Sequence, residues 1–174
     1  MLRHMYKAYA AVAMLSNERV RLDPITPRLA RAMLRGKPEP DLPWEEGFPL
    51  PSVRGALERI VTAEGTGHDL QPFFAYVIVR RADGLAVGDA GFHGPPTMAG
   101  EVEIGYALVP AARGTGLAAD ATRLLVEWAR SQPGVLTVTA RVEPTNTPSR
   151  RLLERLGFAP DGERGGLDRF VLTA

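Results

Sequence analysis

The chain has 174 residues, 45% of them hydrophobic, which suits one compact domain with a substantial core. Charged residues make up 24% and the formal net charge is +1, so no whole-molecule field draws nucleic acid or an anionic membrane; any anion site has to be local. With no cysteine, disulfides, thiol nucleophiles and Cys-ligated zinc are excluded, and His4, His68 and His93 lie too far apart in sequence to form a metal-ligand pattern.

The apolar stretch from Tyr6 to Leu15 is too short to cross a bilayer and lacks a small-residue cleavage site after it, so a cytoplasmic protein is expected. Residues 1–17 read as an N-terminal arm or helix and 18–174 as a single domain. Val20-Arg21-Leu22 alternates and stops at Asp23-Pro24, which predicts a short strand. Pro27 opens a helix carrying Leu29, Ala32 and Met33. Five prolines between Lys37 and Pro51 mark a loop. A second helix runs from Ser52, with Val53, Ala56, Leu57, Ile60 and Val61 at helical spacing, to about Gly65.

From Phe73 the period changes. Phe73 to Val79 is aromatic and β-branched, Ala82-Asp83-Gly84 turns, and Leu85 to His93 alternates, which predicts a hairpin. After Gly94-Pro95-Pro96, Glu101 to Val109 reads as the next antiparallel strand. Leu117, Ala121, Leu124, Leu125, Trp128 and Ala129 then form one apolar helix face, with Asp120, Arg123, Glu127 and Arg130 on the other. Pro133-Gly134 ends that helix and Val135 to Val142 is a strand, so this crossover is parallel. A last helix has Thr147 as its N-cap, Pro148 in its first turn and Gly157 as its stop; two strands, from Phe158 and over Arg169 to Leu172, close the chain. The class is α+β, a mixed and mostly antiparallel sheet with flanking helices.

The turn Arg113-Gly114-Thr115-Gly116-Leu117-Ala118 leads into a helix N-terminus, where unpaired N–H groups and the positive end of the dipole bind phosphate. Its glycines allow positive φ and close approach of a ligand, and Arg113 adds a cation at the rim. A P-loop is excluded because no lysine follows Lys37. A relaxed dinucleotide fingerprint fits this turn, with Glu143 as the ribose acid, but that fold needs successive parallel units and here only one crossover follows an antiparallel meander.

Arg113, Gly116 and Ala118 meet the pyrophosphate signature of the GCN5-related N-acetyltransferase superfamily, which the chain resembles. Glu103 to Pro110 resembles the family's fourth strand, and Asn146, Ser149, Leu152, Leu153, Gly157 and Phe158 resemble its second motif. The match spans roughly Leu85 to Phe158 and is best to the branch of ribosomal-protein N-terminal alanine acetyltransferases. The resemblance implies acetyl-CoA as co-substrate, an amine acceptor and a ternary complex. It also implies that amides near Leu108 and Val109 pair with the pantetheine arm, that amides of Arg113, Gly114, Thr115, Gly116, Leu117 and Ala118 hold the pyrophosphate, and that Asn146 touches the cofactor.

An amine acceptor is protonated near neutral pH, so attack on a thioester needs a base. Glu103 is the candidate, on the strand expected to border the thioester. A strand carboxylate paired with an arginine is the competing reading of the same residue. The tyrosine that many family members carry seven residues after the motif's asparagine is Leu153 here, which leaves Ser149 as the substitute acid, set against a role in the first helical turn. Trp44, Glu45 and Glu46 form an acidic, aromatic loop suited to a cationic amine, and His93 is a further substrate candidate. A monomer or homodimer without metal, nucleic acid or membrane partner is expected. The alternative function is an acyl-CoA-binding module without turnover.

Overall fold

The computed structural model describes residues 14–68 and 70–173. The arm or helix expected over 1–17 lies outside the described residues as far as residue 13. Leu15–Ser16 instead form a two-residue strand, β1, paired with β2, Val20–Pro24. Helix α1, Pro27–Leu34, follows, its N-terminus capped by the Thr26 hydroxyl, which accepts from Leu29 N–H at 3.2 Å. Pro51–Val53 make a single 3-10 turn before α2, Arg54–Gly65. Three antiparallel strands come next: β3, Ala75–Arg80, β4, Ala86–Phe92, and β5, Glu101–Leu108. Then come α3, Leu117–Arg130, β6, Thr137–Val142, α4, Thr147–Arg155, and the hairpin of β7, Ala159–Arg164, with β8, Leu167–Thr173.

The described residues form one eight-stranded sheet in the order β1-β2-β3-β4-β5-β6-β8-β7, and β5–β6 is its parallel pair. The periods in the sequence explain the layers. Leu117, Ala121, Leu125, Trp128 and Ala129 are buried as α3 lies on the sheet, where Trp128 meets Phe73 and Phe92 at ring-centroid distances of 4.9 and 5.4 Å. Phe92 is the register partner of Ile104, so these side chains share one face of the sheet.

One local expectation is corrected. The cap of α4 is Asn146, whose Oδ1 accepts from Ser149 N–H at 3.2 Å, and Thr147 is the first helical residue. With Asn146 as cap, Pro148, which has no N–H, falls at the second helical position, and the donor that needs an acceptor is Ser149 N–H, three residues after the cap.

Beyond Ile104 the sheet opens. Residues 101–104 of β5 pair with 137–140 of β6, after which β5 continues beside β4 and β6 beside β8. The two central strands therefore part company in mid-sheet, with α3 starting at the mouth of the opening.

Candidate active site

Hydrogen bonding assigns each β5 amide a direction. His93 N–H donates to the Glu103 carbonyl and Val109 N–H to the Val87 carbonyl, both at 2.9 Å, so odd-numbered residues of β5 bond to β4. Even-numbered ones face β6, and past Ile104 that partner is gone. Tyr106 and Leu108 thus aim their backbone polar groups into the opening, and the Leu108 carbonyl accepts from Arg113 Nε at 3.0 Å. Val109 is corrected as a pantetheine partner. Its N–H is held by Val87 and its carbonyl by Ala112 N–H at 3.0 Å, whereas the backbone of Tyr106 lies beyond the pairing with β6.

A cleft of about 910 Å³ lies against this edge, lined among others by Tyr106, Leu108, Arg113, Gly116, Asn146 and Ser149. The phosphate turn forms one wall. Gly114 and Gly116 have φ of 72° and 84°, a region costly for any residue with a Cβ. Gly116 caps α3 with no side-chain hydrogen bond, and the first backbone bond into it is Asp120 N–H to the Gly116 carbonyl at 3.1 Å. The N–H groups of Leu117, Ala118 and Ala119 are therefore orphan donors at the positive end of a 14-residue helix. Thr115 turns its hydroxyl inward onto the Ala112 carbonyl at 2.6 Å, so what it presents to the cleft is its backbone. Leu117 likewise offers only its N–H, since its side chain is buried in the core.

Arg19, which no sequence motif singles out, supports this turn from the β1–β2 loop. Its guanidinium donates to the Thr115 carbonyl and pairs with Asp120 at 2.9 Å.

On the far wall Asn146 spends its carbonyl oxygen on capping, which leaves its amide nitrogen for a ligand. Ser149 lines the same cleft. The Tyr106 hydroxyl is buried without a well-formed hydrogen bond; burial raises its pKa, and the Ser149 side chain opposes that shift.

The acceptor candidates divide. Glu103 lines no part of the cleft: its Oε1 lies 2.9 Å from Arg141 Nε and 3.0 Å from His93 Nδ1. Of the two readings of Glu103, free base and arginine-paired strand carboxylate, the structure shows the pairing: Arg141 donates to Oε1 and His93 Nδ1 lies close to the same atom. The structure thus brings the candidates Glu103 and His93 together. Trp44 and Phe48 pack edge to face at 5.5 Å, and the loop bonds to β4 through Glu45 N–H and the Ala86 carbonyl. Glu45 is corrected as a receptor for a cationic amine. Its carboxylate bonds Arg80 at 2.7 Å, which holds it below the usual carboxylate range, helped by the Glu46 N–H. Glu46 itself is exposed.

One polar residue near the site was missed. Asp89, the register partner of Ala107, carries an Oδ2 that is buried and without a hydrogen bond, and desolvation pushes its pKa up to about 7. The signal was present: an aspartate in mid-strand between Val87 and Ala90, both buried.

Residues 19–159 match the family model described as "Acetyltransferase (GNAT) domain". The uncharacterized N-acetyltransferase YjdG of Bacillus subtilis (strain 168) is 38% identical over 86 residues, 49% of this chain and 51% of that protein. The chain spans about half the length of the curated relatives it matches. Among solved structures, a putative GnaT-family acetyltransferase from Bordetella pertussis has a TM-score of 0.62 at 28% identity, covering 92% of this chain and 98% of that one. The Mycobacterium smegmatis RimJ, solved in complex with CoA-disulfide, has a TM-score of 0.63 at 24% identity over 89% of this chain and 82% of its own, a likeness of fold. Among the described residues no helix is long and apolar enough to cross a membrane.

Proposed function

The chain belongs to the GNAT acetyltransferase family, and from that premise we propose that it moves an acetyl group from acetyl-CoA to a primary amine by direct attack within a ternary complex. The amine is a protein N-terminus or a small molecule, in the manner of the ribosomal-protein alanine branch, and the protein acts in the cytoplasm as a monomer or homodimer. One observation carries this reading: an opening in mid-sheet whose edge offers the backbone of Tyr106 and Leu108, joined to a helix N-terminus with orphan N–H groups. An extended pantetheine arm pairs with such an edge as an added strand would, and a pyrophosphate satisfies the donors of α3.

The chemistry divides between the two faces of β5. An N–H aimed into the opening stabilises the oxyanion that forms when the amine attacks the thioester carbon. The thiolate departs on the side of the cleft, where Ser149 donates a hydrogen bond to it, and Asn146 orients the arm through its amide nitrogen. Proton removal from the amine belongs to the opposite face, which Glu103 occupies.

The experiment is thiol release from acetyl-CoA across a panel of N-terminal peptides and small amines, with CoA binding measured in parallel. Release with at least one acceptor supports transfer. Binding without release across the panel favours the second reading, an acyl-CoA-binding module, for which the leucine at position 153 is the specific observation.

A further inference from the structure

Deepening that reading and resting on it, we propose that His93 Nε2 is the proton acceptor for the incoming amine and that Glu103 is the residue that positions it. The Glu103 carboxylate has no proton to give, so its Oε1, 3.0 Å from His93 Nδ1, favours the imidazole tautomer with its proton on Nδ1 and its lone pair on Nε2. Arg141 donates to the same carboxylate oxygen from β6 at 2.9 Å, which holds Glu103 in place. Arg141 on β6, Glu103 on β5 and His93 just after β4 thus form a row that ends on Nε2.

That nitrogen stands where the reaction needs it. A Cβ added to Gly105 would lie 3.1 Å from His93 Nε2, so the imidazole covers the one residue of β5 that precedes Tyr106, at the point where the strands part. Glycine is what lets the ring lie this close. The His93 side chain is 57% exposed against 23% for Glu103, so an acceptor reaches the imidazole before it reaches the carboxylate. The thiol-side group Ser149 lies in the cleft, which Glu103 and His93 do not line.

Nε2 takes one proton from the acceptor ammonium and becomes imidazolium, stabilised by Glu103. The amine lone pair forms the C–N bond as the carbonyl π pair moves to oxygen. Collapse breaks the C–S bond, and the second nitrogen proton passes to the departing sulfur. The imidazolium then returns its proton to water.

The charged groups on this face include Arg21 and Asp23 on β2, Asp89 on β4, Glu101 and Glu103 on β5, Arg141 on β6, and Arg169 on β8, the last paired with Glu101 at 2.6 Å and with Asp161 on β7. The test is the pH profile of kcat/KM for acetyl transfer by wild type, His93→Gln, His93→Ala and Glu103→Gln. The expected result is a loss of about 100-fold in His93→Gln with its acid limb gone, an unchanged KM for acetyl-CoA, and recovery of His93→Ala by added imidazole. Glu103→Gln keeps an acid limb at reduced rate. Two results overturn the assignment: His93→Gln within about threefold of wild type with its acid limb intact, or an acid limb abolished by Glu103→Gln alone. Absence of transfer by the wild-type protein overturns the acetyltransferase reading instead, so the two failures are distinguishable.

Discussion

Arg19 and Asp120 meet at 2.9 Å across 101 residues of chain, and the same guanidinium holds the carbonyl of Thr115. The phosphate turn is therefore braced by a residue from the opposite end of the domain. Because the Arg19 side chain is 52% exposed, its ion pair contributes at most about 1 kcal/mol to stability. Its larger effect is on the geometry of the turn. Arg19→Met is expected to raise the Kd for CoA by about tenfold with little change in Tm, measured by calorimetry and thermal melting. A Kd equal to wild type removes Arg19 from the account.

Asp89 gives the stability a pH dependence of defined sign. Its ordinary pKa of 3.8 rises to about 7 in the folded protein, so the native state binds more protons than the unfolded one between those values. The stabilisation from neutral Asp89 is complete below about pH 4 and is lost as the pH rises through about 7. Asp89→Asn removes the ionisation, and its advantage over wild type should grow across that window to an amount on the order of 4 kcal/mol above it. Denaturant unfolding at pH 5, 6, 7 and 8 checks this; parallel curves for the two proteins would show that Asp89 is solvated.

Glu45 is expected to be silent toward the acceptor. Its carboxylate is committed to Arg80 at 2.7 Å, and Asp83 shares that guanidinium at 2.6 Å. Glu45→Gln should leave the acceptor KM within about twofold of wild type. A rise of fivefold or more would mean that the amine displaces Arg80.

Ser149 is expected to affect turnover more than binding. Its N–H, which receives the Asn146 cap, survives substitution by alanine, so Ser149→Ala separates the hydroxyl from the helix start. Turnover should fall by about tenfold with the acetyl-CoA KM unchanged. A loss smaller than about threefold assigns Ser149 to the helix alone.

The order of elements from Val20 onward was legible because periods of 2 and 3.6 switch cleanly, and because Pro27, Pro110 and Gly116 stand at element boundaries. The glycine turn before α3 was legible for the same local reason. What could not be read was set by pairing across the chain. Val109 is bonded to β4 and Tyr106 faces the opening because the β4 register decides which amides are paired, and a sequence does not state that register. For Glu103 the pairing with an arginine was one of two readings, and which arginine could not be named, since Arg141 lies on a strand 38 positions away. Asn146 displaced Thr147 as the cap by a single residue, within the usual uncertainty of helix ends.

The central claim is that acetyl-CoA occupies the opening between β5 and β6 with its pyrophosphate on the start of α3. A crystal structure grown with acetyl-CoA measures this directly. The account predicts pantetheine density along Tyr106 to Leu108, hydrogen-bonded to the backbone of those two residues, and phosphate oxygens within hydrogen-bond distance of the amides between Gly114 and Ala119. Cofactor density elsewhere, with the amides of Leu117 to Ala119 left to water, would contradict it.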